Sequence, residues 1–240
     1  MNVVDALNAD AGTLCVVGAG GKKTTLYALA NRLERAVVTA TVRIPIFDHH
    51  VDAVRVTDDP RGALADATYP LGLVPARERE DRYRGYGTET VAAIAEAHDG
   101  PLLVKADGAR MREFKAPNER EPQLPAVADV VVPIASTHAV GQPLTDEVVH
   151  RPERVAACTD LELGDRITPA AVGQVLASTD GGLKAVPEGA TAIPLLNKVD
   201  DAEDEAVARE IAAAIHEHAD VPRVVLARMR DASIVDVIYP

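Results

Sequence analysis

A short apolar run that leads into glycines, lysines and a helix is the feature that most constrains the fold. Residues 13–17 are apolar and rich in β-branched side chains, as buried strands are. After the glycines, apolar side chains recur at helical spacing over residues 24–35, and residues 36–40 form a second apolar run. The chain therefore opens with a strand, a glycine loop, a helix and a strand, which is the βαβ unit with a right-handed crossover.

The same alternation continues to the end of the chain. Helical patterns cover 88–98, 152–159, 169–178 and 202–218, and strand patterns cover 102–106, 127–135, 190–196 and 223–227. Continuously apolar strands between helices predict a mainly parallel sheet covered on both faces. We expect an α/β fold, a P-loop NTPase-like three-layer sandwich, with residues 1–240 as a single nucleotide-binding domain. Two polar segments, 77–86 and 110–125, are predicted to be irregular loops.

Composition narrows the class of protein. The 240 residues are 47% hydrophobic, which excludes a disordered or fibrous chain. No apolar run approaches the ~20 residues of a membrane span, and residues 1–10 lack the basic cluster of a signal peptide, so we expect a cytoplasmic protein. A formal net charge of −12 argues against nucleic acid or an anionic membrane as a partner. Cys15 and Cys158 have no disulfide or zinc spacing and are interpreted as buried hydrophobes.

The glycine-rich turn is the candidate phosphate site. Backbone amides at the start of a helix bind anions, glycine lets a phosphate approach closely, and lysine adds a charge. The spacing G-x-x-G-K with hydroxyl residues after it is similar to the loop of Mur-type ATP-dependent ligases, and Thr24 is the preferred Mg²⁺ ligand. The alternative is a tight turn with solvated lysines. The candidate binding residues are Gly18, Ala19, Gly20, Gly21, Lys22, Lys23, Thr24 and Thr25.

Two further motifs follow predicted strands. Asp107 comes just after the strand at 102–106, at the edge where parallel sheets bind ligands, and is interpreted as a Mg²⁺ ligand or a residue that positions water. The alternative is an Asp-Gly turn. Asn197, Lys198 and Asp200 form the N-K-x-D pattern that selects guanine in GTPases. The alternative is that Asp200 caps the helix that begins near residue 202.

Two histidine-containing segments carry weaker signals. Asp48, His49 and His50 are interpreted as a surface cluster in preference to a metal site, because adjacent side chains in a strand point to opposite faces. His150 and Arg151 either offer positive charge to an anion or start a helix.

Taken together, the ordered segments resemble the YqeC family, which is associated with accessory proteins of selenium-dependent hydroxylases and with selenium cofactor biosynthesis. The resemblance rests on the glycine loop, the threonine-rich run 38–45, the segment Ala106-Asp107-Gly108-Ala109 with Lys115-Ala116-Pro117 and Glu121-Pro122, then Gly141, His150-Arg151-Pro152 and Leu196 to Asp200. The chain departs from the family pattern at Lys23, Ala40 and Lys105, where a hydroxyl, a threonine and a glutamate are usual.

The motifs indicate a protein that binds a nucleoside triphosphate, ATP or GTP, together with Mg²⁺. The resemblance implies an accessory role in maturing a selenium- or molybdenum-containing cofactor, with a molybdenum hydroxylase or its cofactor-maturation proteins as partners. We expect Asp107 and Lys115 to be catalytic, Thr24 and Asp107 to hold the metal, and the loop 110–125 to close over the phosphates or present a second substrate. Three alternatives stay open. They are a GTPase metallochaperone, an ATP-dependent ligase or kinase acting on a small acid, and a binding module gated by nucleotide.

Overall fold

A computed structural model describes residues 1–240 and contains six α-helices and fifteen β-strands. The helices are α1 (Val3–Ala6), α2 (Lys22–Ala30), α3 (Thr88–Ala97), α4 (Pro152–Ala157), α5 (Pro169–Ala177) and α6 (Ala202–His218). The strands are β1 (Thr13–Gly18), β2 (Val37–Ala40), β3 (Ile44–Pro45), β4 (Ala53–Val56), β5 (Leu71–Val74), β6 (Ala76–Arg79), β7 (Arg82–Arg84), β8 (Leu102–Lys105), β9 (Phe114–Lys115), β10 (Val130–Ser136), β11 (Val149–His150), β12 (Thr191–Ala192), β13 (Leu195–Asn197), β14 (Val224–Arg228) and β15 (Ser233–Ile238).

The central sheet is mainly parallel, so the predicted mixed α/β class is confirmed. Its strands run in the order β15-β14-β13-β10-β1-β8-β2-β5-β4, and β12 also pairs with β10. Every neighbouring pair is parallel except β14 and β15. Strand β1, which carries the glycine loop, therefore lies near the middle of the sheet, and the carboxyl ends of β2, β8, β10, β13 and β14 share its edge.

Helices cover both faces of this sheet, because successive strand residues point to opposite sides. Leu14 and Val16 of β1 belong to the same buried cluster as Leu26 of α2. Cys15 and Val17 of β1 lie in a cluster on the other face, together with residues of α3. Helices α5 and α6 pack with each other under β13 and β14 on that second face.

Most predicted elements are present with small shifts in their ends, and α6 begins and ends as predicted. Helix α2 stops at Ala30, five residues early, where the amide of the Asn31 side chain donates to the carbonyl of Tyr27 at 2.7 Å. The predicted strand 190–196 is divided into β12 and β13, because Pro194 lies between them and has no amide to donate.

The prediction of irregular structure for residues 77–86 is wrong. Strands β6 and β7 form an antiparallel hairpin there, and β7 also pairs with β3. The segment 110–125 is largely irregular as predicted, but it includes β9, which pairs with β11. Strands β4, β5 and β15 and the short helix α1 have no counterpart in the sequence predictions. No helix has the length and apolar character needed to cross a bilayer.

Candidate functional site

A cleft of about 740 Å³ lies at the carboxyl ends of the central parallel strands. It is strongly cationic: ten of the chain's 25 lysines and arginines line it, beside two carboxylates, Glu113 and Asp200. The ten are Lys22, Lys23, Arg43, Arg82, Lys105, Arg110, Arg112, Lys198, Arg228 and Arg230. In a chain of net charge −12, this concentration of positive charge gives the cleft an electrostatic potential that attracts anions.

The glycine loop turns only part of its backbone toward this cleft. The amide of Gly18 donates to Asp107 Oδ2 at 2.8 Å, that of Ala19 to the carbonyl of Ile134 at 2.8 Å, and that of Gly20 to the carbonyl of Arg112 at 3.1 Å. The amides of Gly18, Ala19 and Gly20 are thus already bound within the protein, although all three residues were predicted to bind phosphate.

The backbone amides that have no acceptor within the protein belong to the residues that follow Gly20. Helix α2 begins at Lys22 with Gly21 as its N-cap, and no side chain caps it. The amides of Gly21, Lys22, Lys23 and Thr24 have no acceptor in the protein. These four groups lie at the positive end of the helix dipole, beside the cleft, and can bind an anion. Of the residues predicted to bind phosphate, the four at the start of α2 are therefore the ones whose amides remain available to an anion.

The glycines themselves are explained by close packing. Gly18 has a φ of 88°, and a Cβ there would lie 2.2 Å from the carbonyl oxygen of Ile134. Gly20 has a φ of 82°, and its Cβ would lie 2.6 Å from Ser136 Cβ. Both neighbours belong to β10, so the glycines let the loop lie directly against the adjacent strand.

A buried network of charges lies beneath the loop. Lys22 Nζ is 2.9 Å from Asp107 Oδ1 and also donates to the carbonyl of Gly18. Lys115 Nζ is 2.9 Å from Asp107 Oδ2 and 2.8 Å from Glu121 Oε2, and Arg151 donates to the same Glu121 oxygen at 2.7 Å. Asp107 is 1% exposed and Lys115 4%, so neither side chain is accessible from the cleft.

This network alters the role that Asp107 can have. Burial alone would raise the pKa of the Asp107 carboxyl, but the ammonium groups of Lys22 and Lys115 outweigh it and hold the pKa below its usual value. The carboxylate is thus ionised, yet an ammonium group lies against each of its oxygens. Thr24, in contrast, is exposed and lines the cleft. The structure does not place Thr24 and Asp107 around a common metal position, and the predicted pair does not fit Mg²⁺.

The two residues predicted to be catalytic, Asp107 and Lys115, do not reach the surface of the cleft. Since both side chains lie below the loop, they act on the cleft through Lys22 and through the backbone amide of Gly18. Thr25 is likewise buried, and its hydroxyl donates to the carbonyl of Gly21 at 3.2 Å. These residues position the loop and its lysine.

The N-K-x-D residues have different surroundings: the side chain of Asn197 is hydrogen-bonded within the protein, and the carboxylate of Asp200 is partly exposed in the cleft. Asn197 Nδ2 donates to the carbonyl of Gly20 at 2.7 Å, and its Oδ1 accepts from the amide of Met229 at 2.9 Å, so the side chain ties the loop to the segment after β14. Lys198 pairs with Glu113 at 2.6 Å. Asp200 keeps a partly exposed carboxylate in the cleft, 3.5 Å from Arg230.

The alternative role proposed for Asp200, as the helix cap, belongs to its neighbour. Asp201 is the N-cap of α6, and its side chain accepts from the amides of Glu203 and Asp204 at 2.9 and 3.0 Å. Asp200 is therefore free of that role, and its own amide donates to Asp204 Oδ2 at 3.0 Å.

Of two histidine-containing groups, the first, Asp48–His50, is the surface cluster predicted from the sequence, and the second was not predicted. Asp48–His50 form an exposed 3₁₀ turn, in which Asp48 accepts from the hydroxyl of Tyr83. The ligand atoms of His138, Asp200 and Asp204 lie within 4.8 Å of one another at the edge of the cleft, a spacing that a divalent cation could bridge. No sequence motif connects His138 with the two aspartates.

His150 and Arg151 lie outside the cleft, and Arg151 is the N-cap residue of α4. Burial and the positive charge of Arg151 lower the pKa of His150 to about 4. This histidine is therefore neutral at physiological pH and adds no charge to the site.

Most of the cationic cleft was missed by sequence reasoning. Arg228 ends the late strand β14, and Arg230 follows this strand as Asp107 follows β8. Because ligands bind at the carboxyl ends of parallel strands, the position of β14 in the sequence could have identified both arginines. Arg82 lies on β7, in a segment that was predicted to be irregular, and Arg43 immediately precedes β3 of the same small sheet. Arg110 and Arg112 flank Met111 in a turn where Arg110 and Met111 have positive φ.

The sequence is similar to known proteins of one family. The family model described as YqeC protein matches residues 14–153, which include the glycine loop, Asp107 and Lys115. A protein of Escherichia coli (strain K12) with the name "Uncharacterized protein YqeC" is 26% identical over 212 residues, covering 85% of this chain and 83% of that protein.

Proposed function

The chain belongs to the YqeC family, and we propose that it binds a nucleoside triphosphate, ATP or GTP, in the cationic cleft. One observation carries the proposal: four free amides at the start of α2 open onto a cleft lined by ten cations in an otherwise acidic protein. A triphosphate matches both features, because its oxygens accept hydrogen bonds and its charge is compensated by lysine and arginine.

The position of the phosphates follows from the donors that remain free. They bind at the amides of Gly21 to Thr24, with Lys23 at the cleft surface and Lys22 at its floor. The hydroxyl of Thr24 is the one member of the predicted metal pair that lines the cleft, and Mg²⁺ enters as the counterion of the nucleotide. Asp107 and Lys115 are positioning residues, since they hold Lys22 and the amide of Gly18 from below.

The base lies toward β13 and β14, where Asp200 has an accessible carboxylate. A carboxylate accepts two hydrogen bonds from the ring N–H and exocyclic amine of guanine, whereas adenine lacks this pattern of donors. Asn197 supports this arrangement indirectly through its hydrogen bond to Gly20. GTP is accordingly preferred over ATP.

Equilibrium binding of ATP and GTP, each with and without Mg²⁺, tests the proposal. We expect Lys22→Gln to lower affinity for both nucleotides by at least tenfold, because a charge-assisted contact is lost. Lys184→Gln is the matched control, since Lys184 lies outside the cleft and bonds only the carbonyl of Asn118. Asp200→Ala should remove the preference for GTP. Absence of binding by either nucleotide at moderate salt would overturn the proposal, and equal affinity for both would overturn the guanine assignment.

We further propose that the protein acts in maturation of a selenium- or molybdenum-containing cofactor of a hydroxylase. Support for this role is the ordered set of motifs that resembles the family, and the partners are a molybdenum hydroxylase or its maturation proteins. Deletion of the gene should lower hydroxylase activity without lowering the amount of hydroxylase polypeptide, and the Lys22→Gln variant should fail to restore it. Full hydroxylase activity in the deletion strain would contradict this role.

A further inference from the structure

The cleft extends along the sheet edge beyond the part assigned to the nucleotide. It runs along the sheet edge from Arg228 at the end of β14 to Arg43 just beyond β2, and five inter-strand spacings separate those strands. At ~4.8 Å per spacing, the edge spans about 24 Å. The proposed nucleotide occupies the part between β14 and β1. The part beyond β1, toward β8 and β2, is left with its own cations.

We call this second part the β2 side and define it by Lys23, Arg43, Arg82 and Lys105. Lys105 is 6% exposed and donates to the carbonyls of Arg43 and Asp107 at 2.8 and 2.7 Å, with no carboxylate partner. Lys23 has no carboxylate partner either, and the one hydrogen bond of its Nζ is to Met111 Sδ at 3.9 Å. Two lysines in an acidic chain of 37 carboxylates are thus left without an ion pair on one wall of the cleft.

These cations also repel one another. Burial and the nearby positive charge of Arg82 lower the pKa of Lys23. Arg43 and Arg82 pair with Glu78 and Asp81 on the β3–β7–β6 sheet, and those carboxylates do not line the cleft. Like charges held close together without a shared counterion destabilise the protein unless an anion occupies the space between them.

We infer that the β2 side binds a second anion, the phosphate or pyrophosphate group of a small-molecule substrate, while the nucleotide occupies the rest of the cleft. The inference rests on the proposed nucleotide site, because that site assigns the β14 side and the start of α2 to the first ligand. It gives the protein two phosphorylated ligands side by side, with Lys23 between them at the start of α2.

The test measures pyrophosphate binding by calorimetry in the presence of a saturating, slowly hydrolysed GTP analogue and fixed Mg²⁺. We expect one equivalent of pyrophosphate to bind beside the analogue. Arg82→Gln should weaken this binding at least tenfold and leave affinity for the analogue within twofold of wild type. Arg84→Gln is the matched control, because Arg84 lies on the same strand, is exposed and does not line the cleft.

The outcomes separate this inference from the proposed function. If the analogue excludes pyrophosphate, or if Arg82→Gln weakens the analogue as much as Lys22→Gln does, the β2 side belongs to the nucleotide site and the inference is overturned. If no nucleotide binds, the proposed function fails. In that case, pyrophosphate is titrated without the analogue to test the second anion site by itself. Loss of pyrophosphate binding in Arg82→Gln but not in Lys22→Gln supports an anion site on the β2 side. Loss in Lys22→Gln but not in Arg82→Gln overturns it.

Discussion

At the scale of single residues, the buried lysines around Asp107 differ in how their charge is compensated. Lys115 lies between Asp107 and Glu121, so two carboxylates stabilise its ammonium group. Lys105 has two carbonyl acceptors and no carboxylate contact. Burial, followed by the positive charge of Lys22, lowers the pKa of Lys105 to about 7. Lys105 is therefore a lysine of the cleft whose charge changes near neutral pH.

This lysine gives the protein a predictable pH dependence. Between pH 7 and the ordinary lysine pKa of 10.5, the unfolded chain binds a proton at Lys105 that the folded chain does not. The free energy of unfolding should therefore rise with pH across this range through Lys105, and this contribution is absent below pH 7. Urea unfolding at pH 7 and pH 9 measures the rise. In Lys105→Met the rise should be smaller than in wild type, and an unchanged rise would contradict the assignment.

Residue positions could be predicted here better than residue roles. The glycine loop and Asp107 are recognisable because each follows an apolar strand. Their contact could not be predicted, because Gly18 and Asp107 are 89 residues apart and the direction of each side chain depends on strand register. The same holds for Asn197, whose side chain donates to the carbonyl of Gly20 and accepts from the amide of Met229, 32 residues further along the chain.

At the scale of elements, the loop between β1 and α2 depends on space that only glycine leaves. Gly20→Ala should lower the free energy of unfolding by about 1–3 kcal/mol more than Gly141→Ala does, because its Cβ meets Ser136 at 2.6 Å. Gly141 is a matched control, since its φ of 78° resembles the 82° of Gly20 and nothing lies within 4 Å of a Cβ there. Chemical denaturation measures both values. Equal losses would show that backbone strain, and not close packing, sets the requirement for glycine.

The start of α6 gives a second test at this scale. Asp201→Ala should lower the free energy of unfolding by about 1 kcal/mol, because two amides of the first turn lose their acceptor. Asp200→Ala should have a smaller effect on stability, since the side chain of Asp200 accepts from no backbone amide. A larger loss in Asp200→Ala than in Asp201→Ala would reverse the assignment of the cap.

Helices and strands were predicted correctly where a regular pattern of apolar residues extends over the whole length of the element. Helix α6 has 17 residues with a regular apolar face, and its bounds follow from the sequence. Strands β6 and β7 were missed because they are short, polar and exposed on at least one face, so no apolar alternation marks them. That omission mattered for the site, since β7 carries Arg82 into the cleft.

At the scale of the whole molecule, net charge conceals the distribution of charge. A value of −12 led to the expectation that anionic polymers are repelled, and it says nothing of ten cations gathered on one edge of the sheet. Attraction inside the cleft acts over a few ångströms, whereas the repulsion from the remaining surface is screened beyond ~8 Å at physiological salt. Small anions can therefore enter a site that the whole-chain charge does not reveal.

This arrangement predicts a global effect of anion binding. Tripolyphosphate at one hundred times its Kd should stabilise the folded protein by about 2.7 kcal/mol, because it binds the folded cleft and not the unfolded chain. Thermal unfolding measures the effect as a rise in Tm. The double variant Arg110→Gln/Arg112→Gln should show a smaller rise at the same concentration, since both arginines line the cleft without a carboxylate partner.

The control is the double variant Arg32→Gln/Arg55→Gln, whose exposed arginines lie outside the cleft. It removes the same charge and should keep the full rise in Tm. If both double variants lose the rise equally, the stabilisation reflects general screening of the chain and not occupation of the cleft.

The division of the loop amides into bound and free groups has a consequence for how the loop meets its ligand. Because Gly18, Ala19 and Gly20 are already fixed by Asp107, Ile134 and Arg112, the loop has lost its conformational freedom during folding and loses little more on binding. Hydrogen–deuterium exchange should reveal this division within one short loop. In the free protein, the backbone amides of residues 18–20 should exchange slowly and those of residues 21–24 rapidly, and the latter should become slow when an anion binds. The ligand therefore binds a surface that is already rigid, and only the first turn of α2 becomes more ordered on binding.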